Sequence, residues 1–329
     1  MRKNKVVLAT ALVAATMLGT AGCSSAAGGA GGAGDGPATV NKLLGIVSIT
    51  ANEANNAAVI ASATKVAKAA GWKVEVVDAE GSAEKANSAI SNFVSQKAGM
   101  IFDLVFPASS LGAGLAAAKA ANIPVASWGG GPGTGIVMNT GDGGPFAQPA
   151  TQLMLQNMQD KGSVLALTYQ GGQVCRDRET VFDKMVAAAP GVKVDREQVA
   201  IPGYLQDGAK YATAWLGAHA KGSGNLAIWG CWDDPTLGAI SSLKQEGRTD
   251  VKTYGINGDA AAIAAVQDGS LTATVYQNGA AEAQKMFAVT LQAIKAGKSW
   301  KLETINVPGI VVTKANVAEF IKQHAAVVK

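Results

Sequence analysis

Short apolar runs alternate along this chain with longer stretches whose apolar residues recur every three or four positions. The short runs predict strands at 43–47, 72–77, 100–106, 123–126, 164–167, 226–229, 251–256 and 271–276, with extended segments at 192–201 and 305–312. The helical-period stretches predict helices at 57–70, 83–96, 111–121, 146–158, 181–189, 209–220, 237–245, 260–266 and 280–296, then a short tail helix. Gly71, Pro107, Gly247 and Gly269 mark element ends. Such alternation specifies an α/β fold with mostly parallel sheets, covered by helices on both faces and joined by right-handed crossovers. A glycine-rich break at 129–144 divides the pattern into two similar halves.

The first forty residues follow another logic. Residues 1–22 read as an export signal: Arg2, Lys3 and Lys5 precede an apolar stretch, 6–18, too short to span a bilayer comfortably. Thr20-Ala21-Gly22-Cys23 is similar to a bacterial lipobox, which implies lipidation of Cys23 and a membrane anchor. Glycine, alanine and serine dominate 24–39 and predict a flexible tether. With the three leader charges removed, the formal charge falls from +4 to +1. The remaining charges are scattered without a basic stripe, so no nucleic-acid partner is expected. About 300 residues remain, enough for two domains.

Catalytic chemistry is hard to place. His219 and His324 have no Ser or Cys in a recognisable arrangement, and neither a G-x-S-x-G elbow nor a phosphate-binding G-x-x-x-x-G-K-[ST] loop occurs. No cofactor and no metal are expected. Gly112-Ala113-Gly114-Leu115-Ala116-Ala117 fits a dinucleotide pattern on the wrong strand–helix unit and reads as close helix packing. Asp233-Asp234 point apart and lack His or Cys support; they suit hydroxyl recognition or N-capping ahead of Pro235. By contrast, the strand 164–167 runs through Gly171-Gly172 into Cys175-Arg176-Asp177-Arg178-Glu179, a strand, turn and helix start. In open parallel sheets ligands sit beyond such carboxyl ends, which makes Arg176 a candidate binding residue.

Several segments together resemble the type I periplasmic sugar-binding proteins, the ribose-binding group of ABC-importer receptors. They are Gly71-Trp72-Lys73-Val74-Glu75-Val76-Val77-Asp78; Ala121-Asn122-Ile123-Pro124-Val125; Arg176-Asp177-Arg178; Leu237-Gly238-Ala239; and 268–277, ending in Tyr276-Gln277. The resemblance covers about 43–313. It implies two lobes joined by a three-crossing hinge, 41–140 with 277–308 and 141–276 with 309–329, and a ligand in the cleft between them. It matches Arg176 to the family's sugar-binding arginine and Gln277 to its hinge glutamine. It places Asn52, Glu53, Asn55, Asn56, Phe106, Trp128, Tyr204, Trp232, Asp233 and Asn257 at or near the site. It also implies an ABC permease as partner, with the receptor itself a monomer.

The sequence departs from the family where stacking aromatics, an Asp–Arg pair and a Phe–Asp pair usually stand. Here those positions carry Asn55 and Asn56, Gly129 and Gly130, and Ile256 and Asn257. Lost stacking puts a ring sugar in doubt and makes a short open-chain polyol a live option. A nucleoside or small signalling molecule on the same fold is the second reading, and an extracytoplasmic enzyme the third. In the family's sheet order the strands preceding Cys175 and Cys231 are neighbours. The resemblance therefore raises a disulfide between these two cysteines, against the alternative of two small buried residues that never meet.

Overall fold

The computed structural model describes residues 41–141 and 143–328. The export signal, Cys23, the tether and Asp142 lie outside the described residues.

The first half opens with β1 (Leu43–Ser48), α1 (Ala54–Ala69), β2 (Lys73–Asp78), α2 (Ala83–Ser95) and β3 (Met100–Leu104). It continues through α3 (Gly112–Ala120), β4 (Val125–Trp128) and β5 (Ile136–Thr140). The second half runs α4 (Gly144–Met158), β6 (Lys161–Thr168), α5 (Gln173–Ala187), β7 (Gly191–Gln198), α6 (Tyr204–Ala218) and β8 (Leu226–Gly230). Then follow α7 (Asp233–Gln245), β9 (Val251–Tyr254), α8 (Ala260–Asp268) and β10 (Ala273–Tyr276). Finally come α9 (Gly279–Ala296), β11 (Glu303–Ile305), β12 (Ile310–Thr313) and α10 (Val317–Gln323).

These strands form two six-stranded sheets, ordered β11-β5-β4-β3-β1-β2 and β12-β10-β9-β8-β6-β7. Every pairing is parallel except β10 with β12. The chain passes between the sheets after β5, after β10 and after β11. Each sheet has its own core. Leu44, Ile46, Phe93 and Phe102 fill the first, and Val164, Phe182, Trp229 and Tyr254 the second. Central strands β1, β3 and β8 are buried along their whole length, as expected for sheets covered on both faces.

Three local expectations need correction. The glycine-rich break contains β5, whose short Ile136-Val137-Met138 run is hidden among flanking glycines. The segment 305–312 is two short strands in different sheets rather than one, because the third crossing falls inside it. Helix α5 starts at Gln173, well before 181, and this shift puts Arg178 rather than Arg176 on its buried face. The glycines of the dinucleotide-like pattern do serve packing. A Cβ at Gly114 would lie 2.9 Å from Ile90 Cβ, so α3 is seated directly on α2.

Candidate functional site

The carboxyl ends of both sheets face one pocket, which holds about 450 Å³ of atom-free space including its open mouth. Polar lining comes from Thr50, Glu53 and Asn56 on one lobe and from Arg178 and Asn257 on the other. Trp128, Tyr169 and Trp232 supply rings, and Val105, Val174 and Ile201 apolar wall. Among the described residues, no group of three or more His, Cys, Asp or Glu could hold a metal ion.

Arg178, and not Arg176, is the arginine of the pocket. Two residues apart on a helix, they lie about 200° apart around its axis. Arg178 shares a face with Cys175 and Phe182, three residues before and four after it, and that face is buried. Arg176 turns away, and its Nε donates to the Gln170 carbonyl at 2.6 Å. Arg178 Nη1 donates to the Cys231 carbonyl at 2.6 Å and to Asn257 Oδ1 at 3.2 Å. Its Nη2 donates to Gln277 Oε1 at 3.2 Å.

Glu53 caps α1, its Oε2 accepting from the Asn56 backbone N–H at 2.8 Å. Its Oε1 accepts from Asn257 Nδ2 at 3.1 Å, a bond between lobes. Asn56 Nδ2 is tied to the Thr50 carbonyl at 2.8 Å. A second bond between lobes runs from the Gln173 backbone N–H to the Val105 carbonyl at 3.0 Å. Val105 and Asn257 both have left-handed backbone, φ 79° and 130°, which β-branched valine in particular resists. Strain of this kind persists only where surrounding contacts enforce it, and here both residues line the pocket.

The other expected residues divide. Trp128 and Trp232 line the pocket as expected. Asn55 and Gln277 stand just behind it, Asn55 Nδ2 donating to Gln277 Oε1 at 3.4 Å. Phe106 belongs to the first core, and Asn52 is exposed. Tyr204 packs edge-on against Trp232 at 5.6 Å and does not line the pocket. Asp233 is wholly buried. Its carboxylate accepts from the Gly258 backbone N–H at 2.6 Å and from Thr274 Oγ1 at 2.8 Å, so it braces the loop after β9. The N-cap of α7 is Trp232, without a side-chain bond, so neither Asp233 nor Asp234 caps it. Tyr169, Val105, Thr50 and Ile201 carry no local signal in sequence; they enter because strand ends converge there.

Gly130 explains one departure from the family pattern. A Cβ there would lie 2.3 Å from the Phe106 carbonyl oxygen and 2.4 Å from Asp103 Oδ2, so no side chain fits. Asp103 occupies the space, fully buried, with Ser127 Oγ donating to it at 2.8 Å.

Cys175, in the first turn of α5, is bonded to Cys231, directly after β8, with Cα atoms 5.3 Å apart; β8 pairs with β6, the strand that leads into α5. The bridge sits at the pocket wall, one turn from Arg178 and at the residue whose carbonyl that arginine grips.

Burial pushes the Asp103 carboxyl up to about 8. Burial, then the nearby charges of Glu53 and Asp259, raise Asp234 to about 8. Burial also raises Glu53, against the pull of the Asn56 and Asn257 bonds. In an unfolded chain these acids titrate near 4. Between about pH 4 and pH 8 the folded protein therefore binds more protons, and stability falls as pH rises through that window. Urea midpoints are expected to drop from pH 5.5 to pH 8.5, and Asp103→Asn to flatten the decline. An Asp103→Asn slope equal to wild type would remove Asp103 as a source.

The periplasmic binding protein domain family matches residues 44–299. The chain is 28% identical over 241 residues to a xylitol-binding protein of Mycolicibacterium smegmatis, covering 70% of this chain and 65% of that protein. The chain thus spans 65% of the length of that curated relative. It is also similar to the solved structure of an ABC transporter solute binding protein from Agrobacterium vitis with bound allitol. There the TM-score is 0.79 and the identity 25%, over 87% of this chain and 100% of that one. An ABC transporter solute binding protein from Mycobacterium smegmatis with bound glycerol shares the fold, at TM-score 0.75 and 22% identity, over 84% of this chain and 96% of that one.

Proposed function

The chain belongs to the periplasmic binding protein domain family, and on that premise we propose that it is an extracytoplasmic solute receptor of an ABC importer. Its cargo is a small neutral open-chain polyol, enclosed between the lobes and handed to the permease when they open. One observation carries this reading: a single pocket draws Glu53 and Asn56 from one lobe and Arg178 and Asn257 from the other, with Trp128, Trp232 and Tyr169 around them. Carboxylate, amide and guanidinium groups match hydroxyls, and rings cover the C–H faces between them. The xylitol named for one relative and the allitol bound in another support an acyclic ligand.

A ligand contacting both lobes favours the closed arrangement because it gains less from either lobe alone. Residues 1–22 would direct export and Cys23 would hold the receptor at the extracytoplasmic face of the membrane. Cys23→Ser is expected to release the protein in soluble form; a variant that still fractionates with membranes would end the lipid-anchor reading.

A thermal-shift panel of xylitol, allitol, ribose and adenosine tests the ligand class. Binding to the folded state raises the melting temperature, by more as the ligand exceeds its Kd. Xylitol or allitol is expected to give the largest rise. A response to adenosine alone would replace the polyol by a nucleoside.

A further inference from the structure

We infer that Glu282, outside the pocket, is a positioning residue that orients the pocket's aromatic wall and its arginine through one shared carboxylate oxygen. Glu282 lies in the first turns of α9, which begins directly after the chain's second crossing at Gln277. It is wholly buried. Its Oε2 accepts from the Trp128 indole N–H at 2.7 Å and from Gln277 Nε2 at 3.0 Å. The positive end of the helix favours a carboxylate at that place.

The direction of the bonds makes this more than an anchor. Because Oε2 is the acceptor in both bonds, it draws the amide nitrogen of Gln277 toward itself and turns Oε1 the other way. That oxygen then accepts from Arg178 Nη2. Glu53 does the same from the opposite side. Its Oε1 draws Asn257 Nδ2, which turns Asn257 Oδ1 toward Arg178 Nη1. Two carboxylates therefore orient two amides so that both amide oxygens face one guanidinium. With Glu282 neutralised, Gln277 Nε2 loses its carboxylate acceptor, and its Oε1 is held only by the donors Arg178 Nη2 and Asn55 Nδ2, so its tie to the guanidinium loosens.

The same oxygen fixes Trp128, a ring of the pocket wall on the first sheet, to the crossing that leads into α9. A wall ring, a crossing residue and the pocket arginine thus share one relay. Its affinity arm rests on the polyol reading; its spectroscopic arm does not.

The test uses Glu282→Gln, which keeps size and one acceptor oxygen but loses the charge. Protein labelled with 15N at tryptophan and arginine reports both ends, with assignments from Trp128→Phe and Arg178→Met. In Glu282→Gln the Trp128 indole signal is expected to move upfield and the Arg178 guanidinium signals to shift. Xylitol affinity is expected to fall about tenfold, as for a lost charge-assisted bond. A moved Trp128 signal with unmoved Arg178 signals would overturn the relay and leave Glu282 a local anchor. Should xylitol fail to bind wild type, the polyol reading fails while the two signals still decide the relay. Should Glu282→Gln fail to fold, Gln277→Met decides. It removes a donor from the shared oxygen, so the Trp128 signal must move, and an unmoved signal overturns the proposal.

Discussion

Arg178→Ala is expected to abolish measurable polyol binding, whereas Arg176→Ala leaves it intact. The two differ because of what each removal leaves behind. Without Arg178, the Cys231 carbonyl, Asn257 Oδ1 and Gln277 Oε1 all lose a charged donor in a buried place. Each such loss costs about 1–3 kcal/mol, and the three together about 3–5 kcal/mol of stability since they are not additive. Asn257, which lines the pocket, also loses the group that aligns it, and Gln277 behind it loses the same donor, so the pocket's polar groups no longer converge. Arg178→Met restores most of the volume without donors; its affinity loss should match that of Arg178→Ala while its melting temperature recovers in part. Arg176 holds one loop carbonyl, and its loss should change stability by about 1 kcal/mol or less. Calorimetric affinities and urea midpoints for the three variants check this. Equal affinity losses for Arg176→Ala and Arg178→Ala would refute the assignment.

Removal of the Cys175–Cys231 bridge is the second large effect. The cysteines are 56 residues apart, and a closed loop of that length restricts the unfolded chain by about 4 kcal/mol. In the Cys175→Ala/Cys231→Ala protein the melting temperature should fall on the order of 10 °C. Binding should weaken as well, because Cys175 lines the pocket and the Cys231 carbonyl accepts from Arg178 Nη1 at 2.6 Å. Thiol titration of the unfolded, unreduced Cys23→Ser protein checks the bridge itself. No free thiol is expected, and two would contradict it.

Much of the architecture was legible because buried parallel strands and covering helices leave different periods in sequence. The runs at 164–167 and 226–229 could be read at once, since nothing but β6 and β8 buries four apolar residues in succession there. Their adjacency, through the resemblance, raised the disulfide as one of two alternatives, and the structure forms it. The arginine of the pocket was misread for a definable reason. With the regular helix counted only from 181, no helical face separated Arg176 from Arg178, and the resemblance matched Arg176. Begun at Gln173, the same stretch is a helix whose buried stripe runs Cys175, Arg178, Phe182. That stripe was present in the sequence and would have selected Arg178. Nothing comparable marks Val105, Tyr169 or Ile201. They are loop residues at the ends of strands, brought together by how two sheets face each other. Glu282 was equally silent, since a glutamate near a helix start is ordinarily a solvated favourable charge, and only its burial against Trp128 and Gln277 sets it apart.

Isothermal titration of the wild-type protein with xylitol tests the central claim most directly. A single saturable site of about micromolar affinity, near −8 kcal/mol, with xylitol recovered unchanged, is the result this account predicts. No heat from xylitol or allitol, with saturation by a nucleoside or a ring sugar instead, would contradict it.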